Sequence, residues 1–466
     1  MTGSIAYQAV DEKRQQLEEL SLAIWNTPEG GYHEYNAQKW TAELLEKNGF
    51  AVELGAGGVP TSIKASWGSG HPVIGFLGEY DALPGLSQAL GTTQQAIEGQ
   101  LYGQGCGHNL LGVGHVGAVL GMQAEMEARK LPGTIVYFGC PAEELLTGKA
   151  FMARGHAFDG LDCAIAFHPG TANAVTMGNS LALNSAKFHF HGITAHASGD
   201  PHNGRSALDA LELMNVGANY LREHVTSDVR IHYVTTEGGT APNIVPDHAT
   251  VWYYVRAPRR QTVDEVYARL VKVAEGAAHM TETQLEIEFL GGCYDTLNNG
   301  VLVELVHRCM EQTPQEPWTD EELAFAKALD ETKPQQYAAA LESCGLPQGT
   351  HLHTGVLPIG QEGDFGSTDV GDVCYICPTV TFNTACENIG APGHSWQITS
   401  CAGSSLGQKG MVYAAKVMAR FGLEIIEDPQ LLAAAQAEFA AKTGGQPYQW
   451  PIPAQVKVPQ KTDQTK

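Results

Sequence analysis

The 466-residue sequence predicts an α/β fold with a mixed sheet, interrupted by an inserted ferredoxin-like α+β unit. Three observations carry this. Strand-like and helical patterns alternate over residues 61–167. A βαββαβ order follows between residues 183 and 290, and helical patterns resume after Cys293. The outer domain is therefore expected to be discontinuous, 1–182 and 296–466, around an insert at 183–295.

Residues 10–25 place apolar side chains at helical spacing among charged ones, and a second helical stretch at 40–45 stops at Asn48-Gly49. Strand-like segments follow at 61–67 and 73–77, then a Gly-rich stretch at 103–108, a small-residue helix from about 113 to 128, and strands at 134–138 and 163–167. Within the insert the order is strand 187–191, helix 206–222, strands 229–235 and 250–256, helix 263–277 and strand 284–289. That order makes an antiparallel sheet with two helices on one face. Helices at 301–310, 321–328 and 335–341 lead to strand 379–382 and helix 404–421. The Gly/Asp-rich stretch 360–371 reads as an active-site loop, and the chain after Pro451 as a polar tail.

Composition excludes several partners. Lys+Arg 28 against Asp+Glu 51 gives a net charge of −23, which repels nucleic-acid phosphates and anionic membrane surfaces. The first residues lack a basic segment followed by an apolar core, and no stretch of about 18 uncharged apolar residues is present. A cytoplasmic protein with no nucleic-acid or membrane partner is expected. Ten cysteines scattered along so long a chain read as free thiols. The single CxxC, Cys374 to Cys377, lacks a second pair for a structural zinc and reads as buried strand cysteines.

Four short segments carry metal-binding atoms: Gly105-Cys106-Gly107-His108-Asn109, Pro141-Ala142-Glu143-Glu144, Phe167-His168-Pro169 and Pro392-Gly393-His394-Ser395-Trp396. Most fall at strand-to-loop junctions, where open α/β sheets put their sites. Thiolate, imidazole and carboxylate together suit zinc, manganese or a similar divalent ion, and the glycines beside Cys106 are expected to let backbone approach it closely. A thiolate between two cations stays deprotonated and can bridge a pair about 3.5–4 Å apart. Of two adjacent glutamates, one can ligate while the other takes a proton from the water nucleophile and passes it to a leaving amine. Each signal is weak alone; their joint occurrence carries the reading. The stretch 103–107 has neither the G-x-G-x-x-G spacing nor the Walker ending of a phosphate loop.

Together with Gly78-Glu79-Tyr80-Asp81-Ala82-Leu83-Pro84, Ala195-His196-Ala197-Ser198 and Gly366-Ser367-Thr368-Asp369, these segments resemble the M20 peptidases, in an order similar to their amidohydrolase branch, subfamily D. The resemblance runs from the first helix to the tail Gln446-Pro447-Tyr448-Gln449-Trp450-Pro451-Ile452-Pro453. It implies a metallopeptidase-type catalytic domain in which Cys106, His108, Glu144, His168 and His394 bind two divalent ions, Mn2+ or Zn2+. It further implies that Glu143 is the general base and acid, and that Asp81 orients a ligand. The insert would be a dimerisation and lid domain lending His196 to the partner's site as an oxyanion donor, although His196 alone reads equally as a strand-end surface residue. Asn243 would read a substrate carboxylate, with Arg256 as second donor and Arg205 as competitor. Glu79 and Cys106 stand where the wider family has a His and a carboxylate, which leaves the role of Glu79 open.

The implied function is hydrolysis of the amide bond of an N-acyl amino acid, p-aminobenzoyl-glutamate first, by a homodimer or by a heterodimer with a related A-type subunit. An aminoacylase, an indole-acetyl-amino-acid hydrolase or a dipeptidase would use the same metal residues. A partner-dependent, non-catalytic subunit is the alternative of another class. A metal-free thiol enzyme using Cys106 and His108 leaves Glu143, Glu144, His168 and His394 unexplained.

Overall fold

The computed structural model describes residues 3–363 and 365–460, so residue 364 of the 360–371 loop lies outside the described residues. Thirteen strands form in chain order: β1 (Ala51–Leu54), β2 (Ile63–Ser69), β3 (Val73–Glu79), β4 (Leu83–Pro84), β5 (Tyr102–Gly103), β6 (Gly133–Cys140), β7 (Cys163–Gly170), β8 (Ala174–Val175), β9 (Ala182–His191), β10 (Arg230–Glu237), β11 (His248–Ala257), β12 (Gln284–Cys293) and β13 (Thr379–Ala385). The seven-stranded sheet has the order β1-β2-β6-β3-β7-β13-β8. Its middle four strands, β6-β3-β7-β13, are mutually parallel, and antiparallel strands close both edges. The parallel strands are covered on both faces, which is why 73–77 and 163–167 read as nearly unbroken apolar runs.

One face is covered by the helices His108–Arg129 and Ser405–Glu427, whose contact surfaces are built of small residues. The small residues bring this layer close to the sheet: a Cβ on Gly112 would lie 2.3 Å from the Glu79 carbonyl oxygen. Helix 108–129 can therefore start against the end of β3. On the other face a cluster of Phe138, Phe151, Phe158 and Val373 includes Ile452, with Val456 and Val458 packed on it. The stretch after Pro451, expected as a polar tail, is thus strapped to the core through alternate apolar residues.

The insert forms its own four-stranded sheet, order β10-β11-β9-β12, antiparallel throughout, with helices Ala207–Leu221 and Arg260–Thr281 on one face. This is the split βαββαβ arrangement the pattern implied. Phe188, Phe190, Val251 and Tyr253 point into its core, and the alternate residues line an open face. Helices Gly148–Arg154, Val370–Cys374, Trp396–Ala402 and Pro429–Thr443 were not expected from the sequence. Consequently Cys374 lies in a short helix and Cys377 in the turn before β13, both buried and free, rather than in a strand. No helix among the described residues is long and apolar enough to cross a membrane.

Candidate active site

The site residues meet at the C-terminal ends of the parallel strands. β3 delivers Glu79 and Asp81, the turn after β6 delivers Glu143 and Glu144, β7 carries His168 near its end, and the loop after β13 supplies His394. Cys106 and His108 sit at the start of helix His108–Arg129, whose cap residue Gly107 is left-handed (φ 75°). A Cβ on Gly105 would meet Leu86 at 2.2 Å, and one on Gly107 would meet Pro169 at 3.1 Å. The glycines beside Cys106 thus serve packing and turn geometry at the start of this helix. Ala142, Leu146 and His394 also have positive φ (55°, 56° and 51°), so the two loops that present Glu143, Glu144 and His394 are strained ones.

Hydrogen bonding fixes the orientation of His108. Its Nδ1 donates to Asp81 Oδ1 at 2.9 Å, while Asp81 Oδ2 accepts from the Glu144 backbone N–H at 2.9 Å. One carboxylate therefore orients two candidate ligands at once. The remaining nitrogen, His108 Nε2, faces Glu79 Oε2 at 3.5 Å, Glu144 Oε1 at 3.9 Å and Glu143 Oε2 at 4.0 Å. His168 Nδ1 donates to the Pro169 carbonyl at 2.6 Å, turning Nε2 to within 3.3 Å of Cys106 Sγ. His394 Nε2 lies 3.5 Å from Glu144 Oε2 and is the most open of the set.

Among the described residues, three overlapping groups bring their donor atoms within 4.8 Å of one another: Cys106-His108-His168, Cys106-Glu144-His394 and Glu79-His108-Glu143. Cys106 is common to the first two, as a sulfur shared between two cations would be. His108 Nε2 and Glu144 Oε1 are buried without any hydrogen-bond partner. Two orphaned atoms in a cluster of thiol, imidazole and carboxylate fit divalent ions and are costly otherwise.

The electrostatics point the same way. Burial, aided by the charges of Glu79, Asp369 and Glu144, holds the Glu143 carboxyl well above the usual carboxylate range. Burial raises Glu144 to about 7 against the pull of His108, and pushes the Cys106 thiol up. Burial pulls down on His108, but Cys106 and Asp81 prevail and raise it well above the ordinary histidine value. Burial and the neighbouring His108 lower both His168 and His394.

A buried ion-pair network behind the cluster escaped the sequence reading. Lys149 is 0% exposed. Its Nζ donates to Glu79 Oε1 and to Asp369 Oδ1 (2.7 Å), and its backbone N–H donates to Asp369 Oδ2 at 2.8 Å. Lys149, followed by His108, lowers the Glu79 carboxyl despite burial. Glu79 is therefore held by a lysine on one oxygen while its other oxygen faces His108. The available signal was a lone lysine in the apolar segment Gly148-Lys149-Ala150-Phe151-Met152.

The expected substrate-binding residues do not join this cluster directly. His196 and Asn243 lie side by side on exposed loops of the insert: His196 bridges Ile244, and the Ala197 N–H donates to the Asn243 carbonyl at 3.0 Å. Arg256 Nη1 donates to Ser367 Oγ at 3.3 Å in the 366–369 segment, and its Nε is buried without a partner among the described residues. Arg205 pairs with Glu282 at 2.5 Å on the insert's surface.

Residues 182–281 match the family model described as a peptidase dimerisation domain of the M20 type. The chain is 38% identical to the B-type subunit of p-aminobenzoyl-glutamate hydrolase from Escherichia coli (strain K12), over 96% of this chain and 97% of that one. It is 28% identical to the Xaa-Arg dipeptidase of Mus musculus, over 94% and 92% respectively. Among solved structures, a Bacillus subtilis protein described as a dinuclear metal-binding peptidase of the M20 family shares the fold, with a TM-score of 0.57 at 16% identity, over 90% of this chain and 99% of that one.

Proposed function

The chain belongs to the M20 peptidase family, and on that premise we propose that it is a metal-dependent amidohydrolase that cleaves an N-acyl amino acid, with p-aminobenzoyl-glutamate as first substrate and p-aminobenzoate and glutamate as products. The observation that carries this reading is the shared sulfur of Cys106 between two donor groups whose buried His108 Nε2 and Glu144 Oε1 have no other partner. We assign Cys106, His108, Glu144, His168 and His394 to a pair of divalent ions, manganese or zinc. Bound there, such ions supply Lewis-acid polarisation of the amide carbonyl and a water nucleophile at neutral pH.

The chain's own residues do the rest. Asp81 holds His108 in the tautomer that leaves Nε2 free. Glu143 stands beside the ligating Glu144 with a carboxyl raised by burial, suited to take a proton from water and return it to the leaving amine. Residues 1–182 and 296–466 are the catalytic domain in this reading, and 183–295 the dimerisation and lid domain. Dimerisation through the insert, with a second copy or a related A-type subunit, would offer His196 to the partner's reacting carbonyl and Asn243 to the substrate carboxylate, with Arg256 held at the 366–369 segment as a further donor. Ten unpaired cysteines support a reducing, cytoplasmic compartment.

The test is amino-acid release from a panel containing p-aminobenzoyl-glutamate, indole-acetyl-aspartate, simple N-acyl amino acids and dipeptides. Chelator-stripped protein is assayed with and without manganese or zinc. Metal-restored release, fastest on p-aminobenzoyl-glutamate, is the expected result. Equal release by the stripped protein refutes the metal assignment, and a preference for dipeptides refutes the substrate.

A further inference from the structure

The loop between β13 and helix Trp396–Ala402 delivers His394, the most open of the five candidate ligands. Its side chain is 58% exposed, and its φ of 51° lies in the left-handed region that side chains seldom adopt. Strain of this kind persists only where the structure around it over-determines the backbone. The points at which the loop is pinned therefore decide where the imidazole stands.

Those points lie on a pair of helices, Asp320–Asp330 and Pro334–Cys344, that contribute no residue to the donor groups. Asp330 closes the first helix and is 2% exposed. Its Oδ1 accepts from the Asn388 side-chain amide and from the Gly390 N–H, both at 2.7 Å, and its Oδ2 accepts from His351 Nδ1, also at 2.7 Å. Bonds to a carboxylate are roughly twice as strong as neutral ones. The Ile389 N–H donates to the His351 carbonyl at 3.1 Å, so three consecutive loop residues are bonded to Asp330 or to the histidine it holds. The approach is close: a Cβ on Gly390 would lie 2.8 Å from Tyr337 Cα. The Tyr337 ring in turn stacks on His351, with centroids 5.0 Å apart and planes at 16°. Beyond His394, Gln397 Nε2 donates to Thr332 Oγ1 at 3.0 Å, in the turn between the two helices. The helix pair thus grips the loop on both sides of the candidate ligand.

We propose that Asp330 is a positioning residue for the reaction: it fixes the loop at 388–390 and thereby holds His394 Nε2 against Glu144 Oε2, 3.5 Å away. The consequence for metal binding rests on the reading of His394 as a ligand, whereas the pinning of the loop does not. The effect should be confined to one of the two cations. The Cys106-Glu144-His394 group depends on the pinned loop. The Cys106-His108-His168 group does not, because its imidazoles are oriented by Asp81 and by the Pro169 carbonyl. The isosteric amide should serve in place of the carboxylate. In Asp330→Asn the amide oxygen still accepts both loop bonds, and the amide nitrogen faces His351 Nδ1, which accepts once its proton moves to Nε2.

The experiment compares full-length wild type with Asp330→Ala, Asp330→Asn, Asn388→Ala and Glu322→Ala. In chelator-stripped protein, Asp330→Ala is expected to speed amide hydrogen exchange at 388–396 several-fold and to leave 140–147 unchanged. Zinc titration, read by ultrafiltration and elemental analysis, is expected to give two ions per chain in the wild type. Asp330→Ala should keep one and bind the other about 10–100-fold more weakly. Asp330→Asn is expected to restore both readouts close to wild type. Asn388→Ala removes a donor from the loop side and leaves the Asp330–His351 pair intact, so it tests the same contact if Asp330→Ala does not fold, and it should shift both readouts in the same direction. Glu322 accepts from Ser405 Oγ and Lys409 Nζ at the far end of helix Asp320–Asp330. Glu322→Ala should lower the unfolding temperature yet keep both zinc ions, which separates loop positioning from general support of the fold. Unchanged exchange at 388–396 in the Asp330 and Asn388 variants overturns the proposal. So does an equal weakening of both zinc ions, or the same loss in Glu322→Ala. A wild type that binds fewer than two zinc ions counts against the metal reading instead, and exchange in the stripped proteins then decides whether Asp330 holds the loop.

Discussion

Replacing Lys149 by Met should expose how much the active site depends on its one buried ammonium. The Lys149 Nζ is shared by Glu79 and Asp369, and all three side chains are at most 3% exposed. Methionine preserves most of the volume but leaves two buried carboxylates without a counter-ion. Breaking a buried pair in this way costs about 3–5 kcal/mol, a sizeable part of the roughly 5–15 kcal/mol that keeps a domain folded. The cost depends on pH, and its sign follows from the shifts. Lys149 holds Glu79 below its ordinary value, and restrains Asp369, which burial raises to about 6. Without the ammonium, only the histidines still oppose burial at Glu79 and both carboxyls rise, so the folded variant binds protons that the unfolded chain releases above its own carboxylate pKa values. Stability then falls as pH increases through neutrality. The urea midpoint, followed by tryptophan fluorescence at pH 5 and pH 8, should show a deficit against wild type that is larger at pH 8. Adding Glu79→Gln to the variant should recover part of the loss, because one of the stranded charges is gone. A deficit under about 1 kcal/mol, or one equal at both pH values, would refute the claim that Lys149 neutralises this cluster.

Three further outcomes follow from individual contacts. Glu143→Gln should keep its metal content and fold while turnover drops by roughly 10²–10⁴-fold, as measured by amino-acid release beside elemental analysis; retained turnover removes Glu143 from proton transfer. Asp81→Asn sacrifices the acceptor for either His108 Nδ1 or the Glu144 N–H, and metal affinity in a chelator competition should weaken by about 10–100-fold. Asp372 is raised to about 8 by burial, against the pull of the Tyr448 hydroxyl that donates to it at 2.6 Å. The folded state thus holds a proton that the unfolded state gives up, so this group's contribution to stability declines between about pH 4 and pH 8 and is level above. Asp372→Asn should flatten that part of the stability profile, and an unchanged slope would show that folding does not raise this carboxyl.

The sequence exposed those parts of the fold whose period matched their burial. Strands β3 and β7 read as apolar runs because both faces are covered, and the insert's βαββαβ order was visible because its sheet has one open face. Short helices such as Gly148–Arg154 and Val370–Cys374 complete fewer than two turns, too few for a helical period to register in the pattern. The five candidate ligands and Glu143 were legible because glycine, proline and paired acids mark the junctions that hold them. Lys149 was not: its partners lie 70 and 220 positions away, and only the fold brings them to one ammonium. The packing role of the glycines beside Cys106 was not legible either, since the nearest atoms to their missing side chains belong to Leu86 and Pro169, contacts that sequence spacing cannot reveal.

The chain's negative charge takes on a local meaning at this site. Glu34, Glu79, Asp81, Glu143, Glu144 and Asp369 gather at one end of the parallel strands, with Lys149 as the lysine among them. Burial and the charge of Asp81 raise Glu34 to about 8, and burial raises Glu144 to about 7. These are the displacements expected of carboxyls that lack sufficient positive charge. A fold that needed only stability would bury apolar groups here, since replacing buried ions by hydrophobic residues is often neutral or stabilising. The retained carboxyls instead leave an electrostatic deficit of the kind that divalent cations would fill. Because thiol and carboxyl ligands must lose their protons to bind, cation affinity and proton release would be coupled at this site. The same deficit that makes the metal-free cluster costly would therefore favour cations there, with the choice among them left to the thiol, imidazole and carboxylate donor set.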